Sequence, residues 1–352
     1  MLTGRASWQD HWSAAPLGSR SPRGEVATTK RLLLTMLVFG ALLSAVAGGQ
    51  PPALLGIWTS HGSYSLGRPW HLGFDAGGNV YVTDPAARLV FVFSGNGVPV
   101  ASWTCPMLPP LDFAPYGIAV SVDGHAYVTL PYPNGPPPFL LASFTTGGDF
   151  VGPLGTMGSD PGQLGRPMDA AVDAGGNIYL ADGANLRVEV VTGAGAYVTQ
   201  WGSYGAGPGE FHGPLAIAVG PNGLVYVTDD DNQRVEVFTT SGAFVSQWGG
   251  YGSGPGQFAG PWGIALDGGG NVYVEDAANH RIQVFAGSGQ FLSQWGGYGS
   301  GPGQFNRPMG VGVGLDGRVY VADSWNSRIQ VFGPVPTPAK ATSWGRLKAL
   351  YR

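Results

Sequence analysis

The sequence predicts an all-β protein: a six-bladed β-propeller of four-stranded antiparallel blades, its ring closed by an N-terminal strand that completes the last blade. Three observations predict it. A proline that opens a strand-like run recurs six times, at Pro69, Pro115, Pro167, Pro214, Pro261 and Pro308. Twelve residues after each stands a tyrosine: Tyr81, Tyr127, Tyr179, Tyr226, Tyr273 and Tyr320. The last four repeats are spaced by 47 residues, and a unit of about 45 residues with four strands has the length of a propeller blade. Composition agrees, since 60 of the 352 residues are glycine and only 11% are charged. Ordinary globular domains hold roughly 7% glycine and 25% charged residues, so this chain suits short strands joined by tight turns.

Residues 1–47 read as a signal peptide with an extended n-region. Lys30-Arg31 precedes the apolar run LLLTMLVFGALLSAVAGG, and Ala45-Val46-Ala47 offers a small-residue cleavage site after Ala47. The run falls short of the about 20 apolar residues that a spanning helix needs. The mature chain is therefore expected to have no membrane span and to reside in the periplasm, cell envelope or extracellular space; an uncleaved anchor is the alternative. The 29 residues ahead of Lys30 make a long n-region, which a start near Val26 would shorten.

Residues 48–334 are the propeller. One repeat, PWGIALDGGGNVYVEDAANHRIQVFAGSGQFLSQWG at 261–296, alternates as four strands should, with turns at GGG, AAN and AGSG. The second repeat is stretched by an insertion around 131–138. In the sixth, RIQVF runs into GPVPTPA, where prolines bar a central strand. Leu54-Leu55-Gly56-Ile57-Trp58 matches Phe244-Val245-Ser246-Gln247-Trp248 in its apolar positions and its tryptophan, so it is expected to supply the missing strand; SWG at 343–345 is the rival. Residues 335–352 form a proline-rich linker and a basic tail carrying Lys340, Arg346, Lys348 and Arg352. That tail could fold onto the propeller, serve as a sorting signal, or stay disordered. The single cysteine, Cys105, excludes a disulfide framework and a multi-cysteine metal site and is expected to be a small buried hydrophobe.

The pattern PxGIAVDxxGNVYVADxxNxRIQVFxxxGxF resembles the NHL repeat and extends from residue 53 to 332. The first repeat departs after Asp84, with Ala87 in the asparagine slot and Arg88 one place early; the second lacks the Asp-x-x-Asn-x-Arg element. The resemblance implies a propeller that binds partners. It also raises an enzyme alternative, because lyases and lactonases of similar architecture hold a metal with His, Asp or Glu side chains in the channel. Some intracellular relatives bind nucleic acid.

The glycine-rich WGGYGSGPGQF, at 248–258 and again at 295–305, leads to a strand rather than to a helix N-terminus, so it reads as a connector between blades and not as a phosphate cradle. The Asp-x-x-Asn-x-Arg motif, at Asp182, Asp229, Asp276 and Asp323, reads as structural, with the arginine pairing across the loop. Deviations between repeats are more informative. The position after each proline holds Trp70, Tyr116, Met168, Leu215, Trp262 and Met309; the next holds His71, Gly117, Asp169, Ala216, Gly263 and Gly310. With Trp325 and Tyr132 from the loops between second and third strands, these form an aromatic-rich channel mouth with a few polar groups, the composition of a ligand site. The alternative is that the aromatics only pack between blades.

His71 and Asp169 could supply two metal ligands, but no third histidine occupies that slot. His125, His212 and His280, in turns or loops, and His61 read as solvated. No GxSxG or HExxH occurs, and Asp229-Asp230-Asp231 lacks calcium-loop spacing. No cofactor is therefore expected; calcium or zinc is what the enzyme alternative would require. Residues 48–334 hold nine arginines, no lysine and twenty acidic residues, a balance of −11. Arg68, Arg166 and Arg307 are too separated in blade order to make a basic patch, so nucleic acid is not an expected partner. The expected function is that of a secreted or envelope-associated monomeric module presenting its channel mouth to a protein, peptide or glycan. The alternatives are a metal-dependent lyase or hydrolase using His71 and Asp169, and a structural spacer.

Overall fold

The computed structural model describes residues 51–105, 114–131 and 140–335. The expected signal peptide, Tyr132 and the basic tail with its SWG segment lie outside these residues. Six four-stranded antiparallel sheets make up the fold. Blade 1 is Leu72–Phe74, Val80–Asp84, Leu89–Phe93 and Pro99–Thr104; blade 2 is Ile118–Val120, His125–Thr129, Leu141–Thr145 and Phe150–Leu154. Blade 3 is Pro167–Val172, Asn177–Asp182, Arg187–Thr192 and Tyr197–Trp201; blade 4 is Pro214–Val219, Leu224–Asp229, Arg234–Thr239 and Phe244–Gly249. Blade 5 is Pro261–Leu266, Val272–Asp276, Arg281–Phe285 and Phe291–Gly296. Blade 6 takes Gly310–Val313, Val319–Asp323 and Arg328–Phe332 from the C-terminal side and Leu54–Trp58 from the N-terminal side. His125 opens a strand rather than lying in a turn, because its backbone pairs with Thr145.

The first strands touch one another in sequence from blade 1 to blade 6 and back to blade 1, which lines the central channel with them. Antiparallel order then puts the turns of each blade on one face, the hairpin face. The loops between second and third strands and the inter-blade connectors lie on the other, the connector face.

Each blade interface buries one apolar cluster, six in all around the ring. The repeated tyrosine sits in that interface, and its hydroxyl donates to an aspartate in its own first hairpin: Tyr81 to Asp75, Tyr179 to Asp173, Tyr273 to Asp267. The tryptophan that ends the fourth strand packs edge-on against it, at 6.3 Å for Tyr226 and Trp248. The neighbouring blade offers a glycine to the same indole. Gly242 has φ +90°, and a Cβ there would lie 2.7 Å from the Trp201 ring, so this position requires glycine on both counts. Cys105 is buried, which pushes its thiol up to about 12.

Ring closure follows the expectation. Leu54–Trp58 pairs antiparallel with Arg328–Phe332, and Trp58 stacks on Phe93 of blade 1 at 5.1 Å.

The Asp-x-x-Asn-x-Arg motif does more than pair across its own loop. Asp276 accepts the connector amide of Ala259, and Asn279 donates to the Gly252 carbonyl. The Arg281 guanidinium donates to the carbonyls of Ser253, Gly254 and Gln257 while its Nε reaches Asp276 at 2.8 Å. The motif thus clamps the glycine-rich connector. Blade 6 repeats the arrangement with Arg328 on Ser300, Gly301 and Gln304. In blades 3 and 4 the arginines lean toward Glu189 at 3.0 Å and Glu236 at 2.8 Å, and their distances to the aspartates lengthen to 3.8 and 3.6 Å. Blade 1 cannot copy this clamp. Arg88 occupies the left-handed position, φ 59°, that Leu186, Gln233, His280 and Ser327 hold elsewhere, and Leu89 takes the arginine's place in the strand.

Candidate functional site at the channel mouth

The proline at the head of each first strand fixes where the following two side chains emerge at the connector end of the channel. Trp70, His71, Met168, Asp169, Trp262 and Met309 line one cavity together with Leu215 and Ala216. The cavity is nearly full: about 20 Å³ remains, room for one water molecule. Trp70 and Trp262 stack with centroids 6.0 Å apart and planes 24° from parallel, and both are half-buried. Tyr116 is not part of the cavity wall; it packs against Trp70 at 4.8 Å. Trp325 also stands outside the cavity, on the connector face and 39% exposed, with the Arg68 guanidinium 5.0 Å and the Arg307 guanidinium 5.7 Å from its ring centroid.

His71 and Asp169, two blades apart, meet inside the mouth. Their Nε2 and Oδ2 atoms are 3.2 Å apart, both side chains are buried, and the same carboxylate oxygen accepts the Ile217 amide of blade 4 at 3.0 Å. One histidine and one aspartate therefore tie blades 1, 3 and 4 across the channel. Burial alone would push the imidazole pKa down, but the charge and hydrogen bond of Asp169, aided by the Ile118 carbonyl, outweigh it and hold His71 above its ordinary value. Glycine at the matching slot of blade 2 is necessary: a Cβ on Gly117 would lie 2.5 Å from the Asp169 Cα.

A second set of residues went unnoticed in the sequence. Thr83 accepts the His71 amide and donates to the Tyr116 carbonyl of the next blade; Thr129 does the same between Gly117 and Met168, and Thr228 between Ala216 and Trp262. Ser324 closes the series onto Pro69. The slot fourteen residues after each proline reads Thr83, Thr129, Ala181, Thr228, Glu275 and Ala322, and tabulating it would have exposed the odd member. Glu275 is fully buried and accepts the Gly263 amide at 3.1 Å; burial raises its pKa well above the usual glutamate value. Asp230, beside Trp262, is pushed up to about 7 by burial, with the neighbouring Asp231 adding to the rise and the indole N–H of Trp262 opposing it.

Two sequence-based readings need correction. Arg68 and Arg307 are far apart in blade order but adjacent in space, because blades 1 and 6 are neighbours once the ring closes. His280 is not simply solvated: it is half-buried, and its Nδ1 accepts the Arg307 amide at 3.0 Å.

As a metal site the mouth fits poorly, since His71 and Asp169 are turned on each other and Asp169 also holds Ile217. Among the described residues no three His, Cys, Asp or Glu side chains converge. None of the helices among the described residues is long and apolar enough to cross a membrane.

The NHL repeat family matches residues 211–238, 258–285 and 305–332, the first to third strands of blades 4 to 6 with the ends of their incoming connectors. Among solved structures, a streptogramin B lyase is 16% identical over 78% of this chain and 96% of that chain, with a TM-score of 0.56. A catalytically inactive virginiamycin B lyase from Staphylococcus aureus with quinupristin is 18% identical over 75% and 80%, with a TM-score of 0.52. An auxiliary nutrient binding protein from Bacteroides thetaiotaomicron is 15% identical over 77% and 70%, with a TM-score of 0.58. At these identities the likeness is one of fold. No curated protein matches the chain. The chain is thus a six-bladed β-propeller that carries NHL repeats in blades 4 to 6.

Proposed function

We propose that this chain is an exported, monomeric binding module whose connector face, centred on the channel mouth, docks a protein, peptide or glycan. One observation carries the reading. The mouth retains about 20 Å³, whereas sites that enclose a small molecule run to roughly 300–1,000 Å³. Trp70, Trp262 and Tyr116 are nevertheless only half-buried around it. Aromatic planes without depth serve docking better than enclosure of a substrate. The nutrient-binding neighbour supports the same reading.

A lyase or hydrolase is the second reading, favoured by the lyase neighbours and by the His71–Asp169 pair at the mouth. Catalysis there would require the pair to separate and the aromatic cover to open. An oligosaccharide and peptide array probed with the full chain, Trp70→Ala and Trp262→Ala distinguishes the two. Docking predicts at least tenfold weaker signals from both variants at unchanged melting temperature. A ligand that is consumed, with turnover abolished in His71→Ala, would establish the enzyme instead. Export is tested by N-terminal sequencing of the protein recovered from expressing cells, which should begin after Ala47; an intact cytoplasmic form would contradict it.

A further inference from the structure

We propose that the connector face over the junction of blades 6 and 1 binds a carboxylate-bearing saccharide of the uronate type, with Arg68 and Arg307 as the anion-binding pair. This rests on the binding-module reading and names its ligand class.

Both guanidiniums lie within 6 Å of the Trp325 ring centroid. A π-face attracts each cation, while the two like charges repel one another. Five other arginines of the propeller, Arg187, Arg234, Arg281, Arg318 and Arg328, each have a carboxylate within 4 Å. Among the described residues, Arg68, Arg166 and Arg307 have no carboxylate at that distance, and of these only Arg68 and Arg307 lie over a common ring. Two unneutralised cations thus share one indole on a propeller that is acidic overall. An external carboxylate would relieve their repulsion, and the planar guanidinium fork matches a carboxylate with two parallel hydrogen bonds.

The backbone at Arg307 makes the same point. Its φ is +44°, and the corresponding residue of blade 5 is Gly260 at +79°. Blade 6 places a long cation where its sibling uses the residue suited to that conformation.

The rest of the face selects the saccharide. A peptide gains its affinity by seating anchor side chains in pockets, and the mouth has room only for a water molecule. What the face does offer is ring surface: the stacked pair Trp70 and Trp262, and the connector tyrosines Tyr251 and Tyr298, 80% and 71% exposed. The flat C–H faces of pyranose rings require planes of this kind, with a cation pair to one side for the acid group.

Calorimetric titration of the full chain tests this with tetragalacturonate, its methyl ester, a tetraglutamate peptide and sodium sulfate. Tetragalacturonate should bind. Its affinity should fall at least tenfold in the double variant Arg68→Gln/Arg307→Gln at unchanged melting temperature, and the methyl ester should bind at least tenfold more weakly. Equal affinity for tetraglutamate or sulfate, undiminished uronate binding by the double variant, or no uronate binding at all would each overturn the proposal. If uronates fail while array signals still depend on Trp262, this inference falls and the binding reading stands. If Trp262→Ala also leaves every array signal unchanged, both fall.

Discussion

His71 and Asp169 are the two residues at which the otherwise even repeat spends charge in its channel, and their electrostatics have a definite sign. The folded-state pKa of His71 is raised, so the stability it contributes is fully present below the unfolded value of 6.5 and is lost as pH rises through the folded value. Replacing it by glutamine leaves Asp169 buried without its cation, a change that typically costs about 3–5 kcal/mol. Urea unfolding of His71→Gln against the parent chain should show the larger deficit at pH 6 and a smaller one at pH 9; an equal deficit at both would contradict the pairing. The pKa of Glu275 is raised as well, so its dependence on pH has the same direction, but the cause is the cost of burying its ionised form. An acid whose folded pKa is raised costs the fold about 1.4 kcal/mol for each pH unit between its unfolded and folded values, with stability falling as pH rises from about 4.5. Glu275→Gln, which keeps an acceptor for the Gly263 amide, should therefore raise the melting temperature at pH 7 and leave it nearly unchanged at pH 4. That His71 and Asp169 were exceptional was legible in the sequence, because they break a slot otherwise held by small residues. That they touch was not, since they lie two blades apart.

The blade and its connector are the next scale. The arginine of the Asp-x-x-Asn-x-Arg motif was legible as the partner of its aspartate, and the structure bears this out at Arg281 and Arg328. Its grip on three connector carbonyls was not, because a carbonyl acceptor leaves no mark in a sequence. The glycines of the connector were legible as conformational, but the role of the arginine explains why this long loop stays in place. Arg281→Lys removes the fork and leaves a single point donor, which should cost about 2 kcal/mol for the charge-assisted bonds lost. Hydrogen exchange should accelerate in residues 249–258 specifically, and unchanged exchange there would refute the clamp. Gly242→Ala tests the inter-blade contact. A positive φ combined with a 2.7 Å approach to Trp201 predicts a loss of about 1–3 kcal/mol.

At the scale of the molecule, the ring explains both what the sequence disclosed and what it hid. Six prolines, six tyrosines and an orphan N-terminal strand sufficed to count the blades and close them. The Arg68–Trp325–Arg307 cluster was hidden because its members come from the two ends of the repeat array, which only closure brings together. Removing residues 51–58 would strip blade 6 of its outer strand, take Trp58 from Phe93 and expose an unpaired strand edge. Size-exclusion chromatography with light scattering should then show self-association or unfolding, whereas a stable monomer would show that closure does not depend on that strand.

The connector face, and not another concavity, is where this chain is proposed to meet its ligand. The competing surface is a groove of about 730 Å³ on the hairpin face between blades 4 and 5, lined by Leu224, Val237 and Val245 among others. Hydrogen exchange of the full chain with the strongest ligand from the array is the most direct measurement. Protection should appear at residues 67–71, 258–263, 305–309 and 324–327. Protection at 220–224, 268–270 and 287–288, with the connector face unchanged, would contradict the account.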